Sequence, residues 1–213
     1  MLAHLKTKFF RQIFTTIITI IQVSLAFPVS RLIIFLFSIK VRFPQEGLHL
    51  SKHKGILFVS NHQSYLDPFL IISSLPLFGG LLSTTPVRFP TTPDYMEKHI
   101  LSPVATLFGC YSIGSNQAMR MQRLIFTRDI LRKGGSLLLF PQGRLLPINT
   151  LLENKYEKGV SMLFETKASI IFVKIENFHT FFSSKKKSIT FSSITDGGLT
   201  KEEKENVMRI FYS

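Results

Sequence analysis

The chain has 213 residues, with 26 lysines and arginines against 13 acidic residues, giving a formal charge of +13 and a pI of about 10.0. That length suits a single core-forming domain with no visible linker, and the charge suits nucleic acid, anionic lipid or an anionic substrate. Apolar residues make up 45%, phenylalanines number 21 and no arginine-rich helix, zinc-ligand cluster or aromatic RNA-binding signature occurs, so a membrane surface is expected and nucleic acid is not.

Lys6, Lys8 and Arg11 open the chain, and residues 13–27 follow as an almost wholly apolar run. Pro28, Ser30 and Arg31 interrupt it; a second apolar run, 32–39, is closed by Lys40 and Arg42. Neither run alone reaches the roughly 20 residues of a straight span. The expectation is a helical hairpin bent at Pro28 and dipping into one leaflet, with the flanking basic residues on anionic headgroups at the cytoplasmic face; a single tilted span over 13–39 is the alternative. The small-residue cleavage pattern of a signal peptide is poor here. Residues 1–45 are read as this membrane-associated segment and 46–213 as the folded domain.

Residues 55–60, led by Gly55, read as a buried strand, and Asp67-Pro68 as the N-cap and first residue of a helix over about 68–75. A strand is predicted over 80–85, and a helix over 95–108 interrupted near Pro103. A short strand is predicted at 110–113. The spacing of Met121, Leu124, Ile125, Ile130 and Leu131 then predicts a helix over 117–133, ended by Gly134-Gly135. Strands are expected at 136–140, 169–176 and 189–194, and a helix at 158–166. Thr200 and Glu203 form a capping-box pattern for a last helix over about 201–211. Alternating strands and helices imply an α/β sheet. Cys110, the only cysteine, reads as a small core residue; it allows no intramolecular disulfide.

Two segments carry chemistry. Asn61-His62-Gln63-Ser64-Tyr65-Leu66-Asp67 sets a histidine and a carboxylate five positions apart just after a buried strand, at the edge where open α/β sheets place their sites. Imidazole has a pKa of about 6.5, so at neutral pH it accepts a proton from a hydroxyl, and a carboxylate on its other nitrogen fixes the tautomer. Phe140-Pro141-Gln142-Gly143-Arg144 likewise follows a buried strand, shapes a tight turn and presents a permanent cation toward an anion.

In their order and separation these two segments resemble the glycerolipid acyltransferases, also called lysophospholipid or 1-acylglycerol-phosphate acyltransferases, over roughly residues 55–175. Asn61, His62 and Asp67 match that family's Asn-His-x4-Asp block, with Ser64 at a familiar serine position. Phe140, Pro141 and Gly143 match its Phe-Pro-Glu-Gly-Thr-Arg block; residues 109–115 resemble its middle Gly-containing segment, and Lys158-Gly159 with the strand at 171–175 is similar to a later one. The chain departs from the pattern at Gln142, which stands where glutamate is usual, at Arg144, one place early, and at Ser115, where arginine is usual.

The resemblance implies a single mixed sheet flanked by helices. It also implies transfer of a fatty acyl group from acyl-CoA or acyl-carrier protein to a lipid hydroxyl. His62 is then the general base and Asp67 its orienting partner; Asn61, Ser64, Gln142, Gly143, Arg144 and Lys158 are the candidate substrate-binding residues. No cofactor or metal is required, and the partners are membrane lipids and the acyl donor. The acceptor expected first is 1-acylglycerol 3-phosphate, and the altered positions leave room for a non-phosphate lipid. The competing readings are an inactive lipid-binding homologue and a hydrolase that uses His62 on water.

Overall fold

The computed structural model describes residues 2–48, 50, 55–98, 102–142, 162–178, 185–195, 200, 202–204 and 206. Among these residues seven strands form one sheet: β1 (Lys40–Arg42), β2 (Ile56–Ser60), β3 (Val87–Thr91), β4 (Cys110–Ser112), β5 (Ser136–Leu139), β6 (Ser169–Glu176) and β7 (Ser188–Phe191), in the order β1-β7-β6-β2-β5-β3-β4. Among the described strands only the β6–β7 pair is antiparallel, so the sheet is mixed, as expected. β1 joins its edge from upstream of residue 46.

β2 lies between β6 and β5 with both faces covered, which is why its sequence is apolar without alternation. Ile56 and Phe58 point into one core with Leu70, Ile71 and Phe27. Leu57 and Val59 point into the other, with Leu131, Leu163 and Phe172. The first core is covered by helices α2 (Phe27–Leu36) and α3 (Asp67–Ser73), and the second by α7 (Gln117–Arg132). Gly55 leads β2 past the backbone of α7 so closely that a Cβ there would collide with the Leu131 carbonyl. Three short helices, α4 (Leu82–Thr84), α5 (Pro93–Lys98) and α6 (Ser102–Leu107), complete the connections around β3.

Two expectations are corrected. The N-terminal apolar run is not a hairpin bent at Pro28: α1 (Leu2–Ile21) runs through a π-helical turn (Gln22–Ala26) into α2 without leaving the right-handed helical region. Proline cannot donate and crowds the preceding turn; the wider turn, closed by the Phe27 N–H on the Gln22 carbonyl, accommodates it. Residues 12–36 thus form one helix long and apolar enough to cross a membrane. The second correction is the predicted strand at 80–85, which is instead a π turn (Leu77–Leu81) running into α4; the strand lies just beyond, at β3. Its apolar residues pack on the core in either conformation, so hydrophobicity alone did not discriminate. The helix at 117–133 and strand at 169–176 form at those places, and Thr200 and Glu203 exchange the expected capping bonds. Residues 158–161 of the helix expected there, and most of the last helix, lie outside the described residues.

Gln22 fastens the apolar helix to the sheet. Fully buried, at 0% exposure, it donates from Nε2 to the carbonyls of Val87 and Phe108, both at 2.8 Å, and accepts the Val87 N–H at 3.0 Å. Gly109, with φ of +97°, gives the approach its room: a Cβ there would lie 2.9 Å from Gln22 Nε2 and 2.6 Å from the Val87 carbonyl oxygen. A buried polar group left unpaired costs about 1–3 kcal/mol. Gln22→Leu, which strands three backbone groups, is expected to destabilise the fold by about 2–4 kcal/mol and lower Tm by roughly 5–10 °C in detergent, read by thermal unfolding.

Candidate active site

The register of the sheet assembles the site. Val59 of β2 is level with Leu139 of β5, so His62 and Phe140 emerge next to each other at the carboxyl edge. The chain leaves β2 toward β3 and β4, returns to β5 and then crosses to β6 on β2's other side. That reversal of direction opens a crevice beyond the strand ends.

His62 and Phe140 stack with ring centroids 3.9 Å apart and planes 17° from parallel. His62 Nδ1 lies 3.0 Å from Asp67 Oδ2, and that oxygen also accepts the backbone N–H groups of Gln63 at 2.6 Å and Ser64 at 2.7 Å. Asp67 therefore does not cap α3 through its side chain, as the sequence suggested; it is the first residue of the helix and its carboxylate turns back onto the preceding loop. Three donors on one oxygen outcompete a cap. A neutral imidazole in this geometry carries its proton on Nδ1 and leaves Nε2 as the acceptor.

Asp67 is fully buried, and this pushes its carboxyl pKa up, against the opposing pull of His62 and the Ser64 and Gln63 amides. Its Oδ1 is buried and unpartnered among the described residues. His62 keeps 16% side-chain exposure and lines a cavity of about 1290 Å³. One wall of that cavity is the π turn and α2, through Leu25, Val29 and Ile33; the opposite wall is α7, through Arg120, Arg123 and Thr127. Phe69, Phe89 and Phe108 also line it.

The predicted site residues divide sharply. His62 and Asp67 are together as expected. Asn61 has a different place: its amide donates to the Ile175 carbonyl at 2.9 Å and accepts the Ile175 N–H at 2.8 Å, tying the end of β2 to β6 in place of a ladder pair. Ser64 is also a loop residue, its hydroxyl accepting from Leu66 N–H at 3.2 Å, and it does not line the cavity. Gln142 directs a buried amide with neither Nε2 nor Oε1 partnered among the described residues. Gly143, Arg144 and Lys158 lie outside the described residues. Phe140 was legible as a motif residue, but its stacking required the strand register. The α7 arginines carry no motif signal and enter only through the cavity.

Burial pushes the Cys110 thiol up to about 12, so it is no nucleophile at neutral pH. Among the described residues no group of three or more histidine, cysteine or acidic side chains is placed to hold a metal. A histidine oriented by a carboxylate at the edge of a cavity is suited to deprotonating a hydroxyl.

A family model described as Acyltransferase matches residues 40–176, most of the chain. The chain belongs to the acyltransferase family. Among solved structures it is similar to the crystal structure of the 1-acyl-sn-glycerophosphate (LPA) acyltransferase PlsC from Thermotoga maritima, at TM-score 0.61 and 15% identity, covering 88% of this chain and 75% of that one. No curated protein sequence matches. At that identity the likeness extends to the fold; the matched stretch contains β1 through β6 and with them both segments that meet at the carboxyl edge.

The raised Asp67 pKa of this acyltransferase has a stability consequence. Relative to the unfolded chain the native state holds an extra proton at pH values between the two pKa values, so stability is present at low pH and is lost as pH rises through the folded value. Asparagine keeps an oxygen for the Gln63 and Ser64 amides without the buried charge. Asp67→Asn is therefore expected to gain in Tm over the wild type progressively from about pH 4 upward, measured by thermal unfolding in one detergent across pH 4–8. A Tm difference that shrinks with pH contradicts this.

Proposed function

We propose that the protein transfers a fatty acyl group from an acyl-CoA or acyl-carrier-protein thioester to the hydroxyl of a lysophospholipid, 1-acylglycerol 3-phosphate first, in phospholipid synthesis. The observation that carries the proposal is the His62–Asp67 pair at 3.0 Å, at the edge of a large apolar cavity. His62 Nε2 takes the acceptor's proton as its oxygen attacks the thioester carbonyl. The imidazolium then returns that proton to the departing thiolate as the ester forms. Asp67 holds the tautomer and stabilises the imidazolium, and Phe140 fixes the plane of the ring. Direct attack of the acceptor oxygen on the thioester needs no acyl-enzyme. The similar PlsC is a 1-acyl-sn-glycerophosphate acyltransferase, which supports that acceptor.

The N-terminal helix seats the enzyme on the membrane by lying along it. Thr15 Oγ1 meets Arg88 at 3.2 Å, Gln22 is bound to β3 and α6's end, and Arg31 donates to the Leu75 carbonyl at 2.6 Å. From Thr15 to Arg31 a helix rises about 24 Å, so a span would draw the folded domain into the hydrocarbon. The exposed face is mostly apolar, through Ile17, Ile20, Leu25, Val29 and Leu32 to Phe35 at 78% exposure, with Thr16, Ser24 and Arg31 also exposed. Leu25 and Val29 also line the cavity, so the face on the lipid and the site's wall are continuous.

Acyl transfer from labelled acyl-CoA or acyl-carrier protein to lysolipids, with purified protein in detergent, tests the reaction. His62→Ala is expected to lose at least about 10³-fold in rate and Asp67→Asn about 10²–10⁴-fold. An unchanged rate in His62→Ala, or donor loss that ignores the acceptor, sinks the proposal. In sealed vesicles, single cysteines placed by Gln12→Cys and Ser38→Cys in a Cys110→Ser background are expected to react with an impermeant maleimide from one side. Labelling from opposite sides means a span.

A further inference from the structure

The π turn and α2 pack against one core and α7 against the other, so the two long walls of the cavity stand on opposite faces of the sheet with His62 at the edge between them. The walls differ in chemistry. The first offers Leu25, Val29 and Ile33. The second offers Arg120 and Arg123, three apart on α7 and so on one side of that helix, about 5–6 Å between Cβ atoms. Arg128 and Arg132, on the same helix, do not line the cavity. Neither Arg120 nor Arg123 has a carboxylate within ion-pair distance among the described residues. Arg120 spends only Nε, on the Gly114 carbonyl at 3.3 Å, and both side chains are exposed. Asp94 is the one acid that lines the cavity among the described residues, and it is itself partnered. The first turn of α7 carries no acid; Asn116 Oδ1 caps it by accepting the Met119 N–H.

Two guanidinium groups on one wall of a reaction cavity, neither ion-paired among the described residues, form a fork for an anion with several oxygens. We propose that Arg120 and Arg123 bind a phosphate monoester or diester of the reactants, which rests on the acyl-transfer reading above. The pair supplies cationic charge that Ser115, at the head of the same helix, does not. A lysophospholipid placed with its hydroxyl at His62 has its tail on the α2 wall and its phosphate on the α7 wall. The phosphates of coenzyme A are the second source of the same chemistry.

Arg120→Gln/Arg123→Gln is compared with wild type using 1-acylglycerol 3-phosphate against monoacylglycerol, and acyl-CoA against acyl-pantetheine. If the acceptor's phosphate is bound, KM for 1-acylglycerol 3-phosphate rises at least about tenfold with little change in kcat, while monoacylglycerol is unaffected. If the donor's phosphates are bound, KM rises for acyl-CoA and not for acyl-pantetheine. Arg120→Lys/Arg123→Lys restores part of either loss, because lysine binds phosphate as a point charge. KM values within twofold of wild type for every substrate, with turnover intact, overturn this site and leave the acyl-transfer reading standing. Should the wild type turn over nothing, binding of labelled 1-acylglycerol 3-phosphate and of coenzyme A in detergent decides: weaker binding of either by the double glutamine variant supports the site, and unchanged binding of both overturns it. Thermal unfolding of the variants confirms that the fold is retained.

Discussion

A single buried oxygen organises the candidate site. Asp67 Oδ2 collects the His62 ring nitrogen and the amides of Gln63 and Ser64, so the whole loop between β2 and α3 closes around it. The loop cannot relax without surrendering all three bonds, and the imidazole is held as a by-product of holding the loop. The arrangement costs stability, since the carboxylate is fully buried and disfavoured as an anion. A solvated carboxylate would be cheaper for the fold but would leave the ring free to turn. Retaining the buried charge is the pattern of a site that exchanges stability for orientation.

The second constraint is the grip on the N-terminal helix. An apolar helix that met the domain only through side-chain grease could slide or detach. Gln22, set inside a π turn with both ends of its amide bonded to backbone at β3 and the end of α6, allows one position. Arg88, part-buried under Thr15 and 5.7 Å from the Phe14 ring centre, extends the same contact toward the N-terminus. The helix therefore joins the cavity to the outside on one surface: Leu25 and Val29 line the cavity and are themselves exposed.

The sequence was most readable where one physical signal dominated. The run 55–60 and the strand at 169–176 are buried on both faces and flanked by clear turns, and α7 has long helical spacing with a glycine stop at Gly134, where φ is +80°. The His62–Asp67 pair was readable because five residues and one tight loop bring it together. What escaped reading depended on distance along the chain. Asn61 looks like a ligand in its motif, and only Ile175, over a hundred positions later, shows it to be a strand-bridging residue. Pro28 looks like a break, and only the π turn before it shows how a helix passes through. Gln22 reads as a blemish in an apolar run until Val87 and Phe108 are placed beside it.

The same long-range logic bears on how an acceptor is read. The motif positions at which the chain departs, Gln142, Arg144 and Ser115, suggest a weakened hold on phosphate when considered along the sequence. In three dimensions the relevant quantity is the charge that faces the cavity, whichever segment supplies it. Arg120 and Arg123 reach that space from α7, one helical turn or two beyond Ser115, and place cations on the wall opposite the apolar helix. A guanidinium acts through its position and not its ancestry in a motif, so substituting at one position and supplying charge from another can leave the local field much the same.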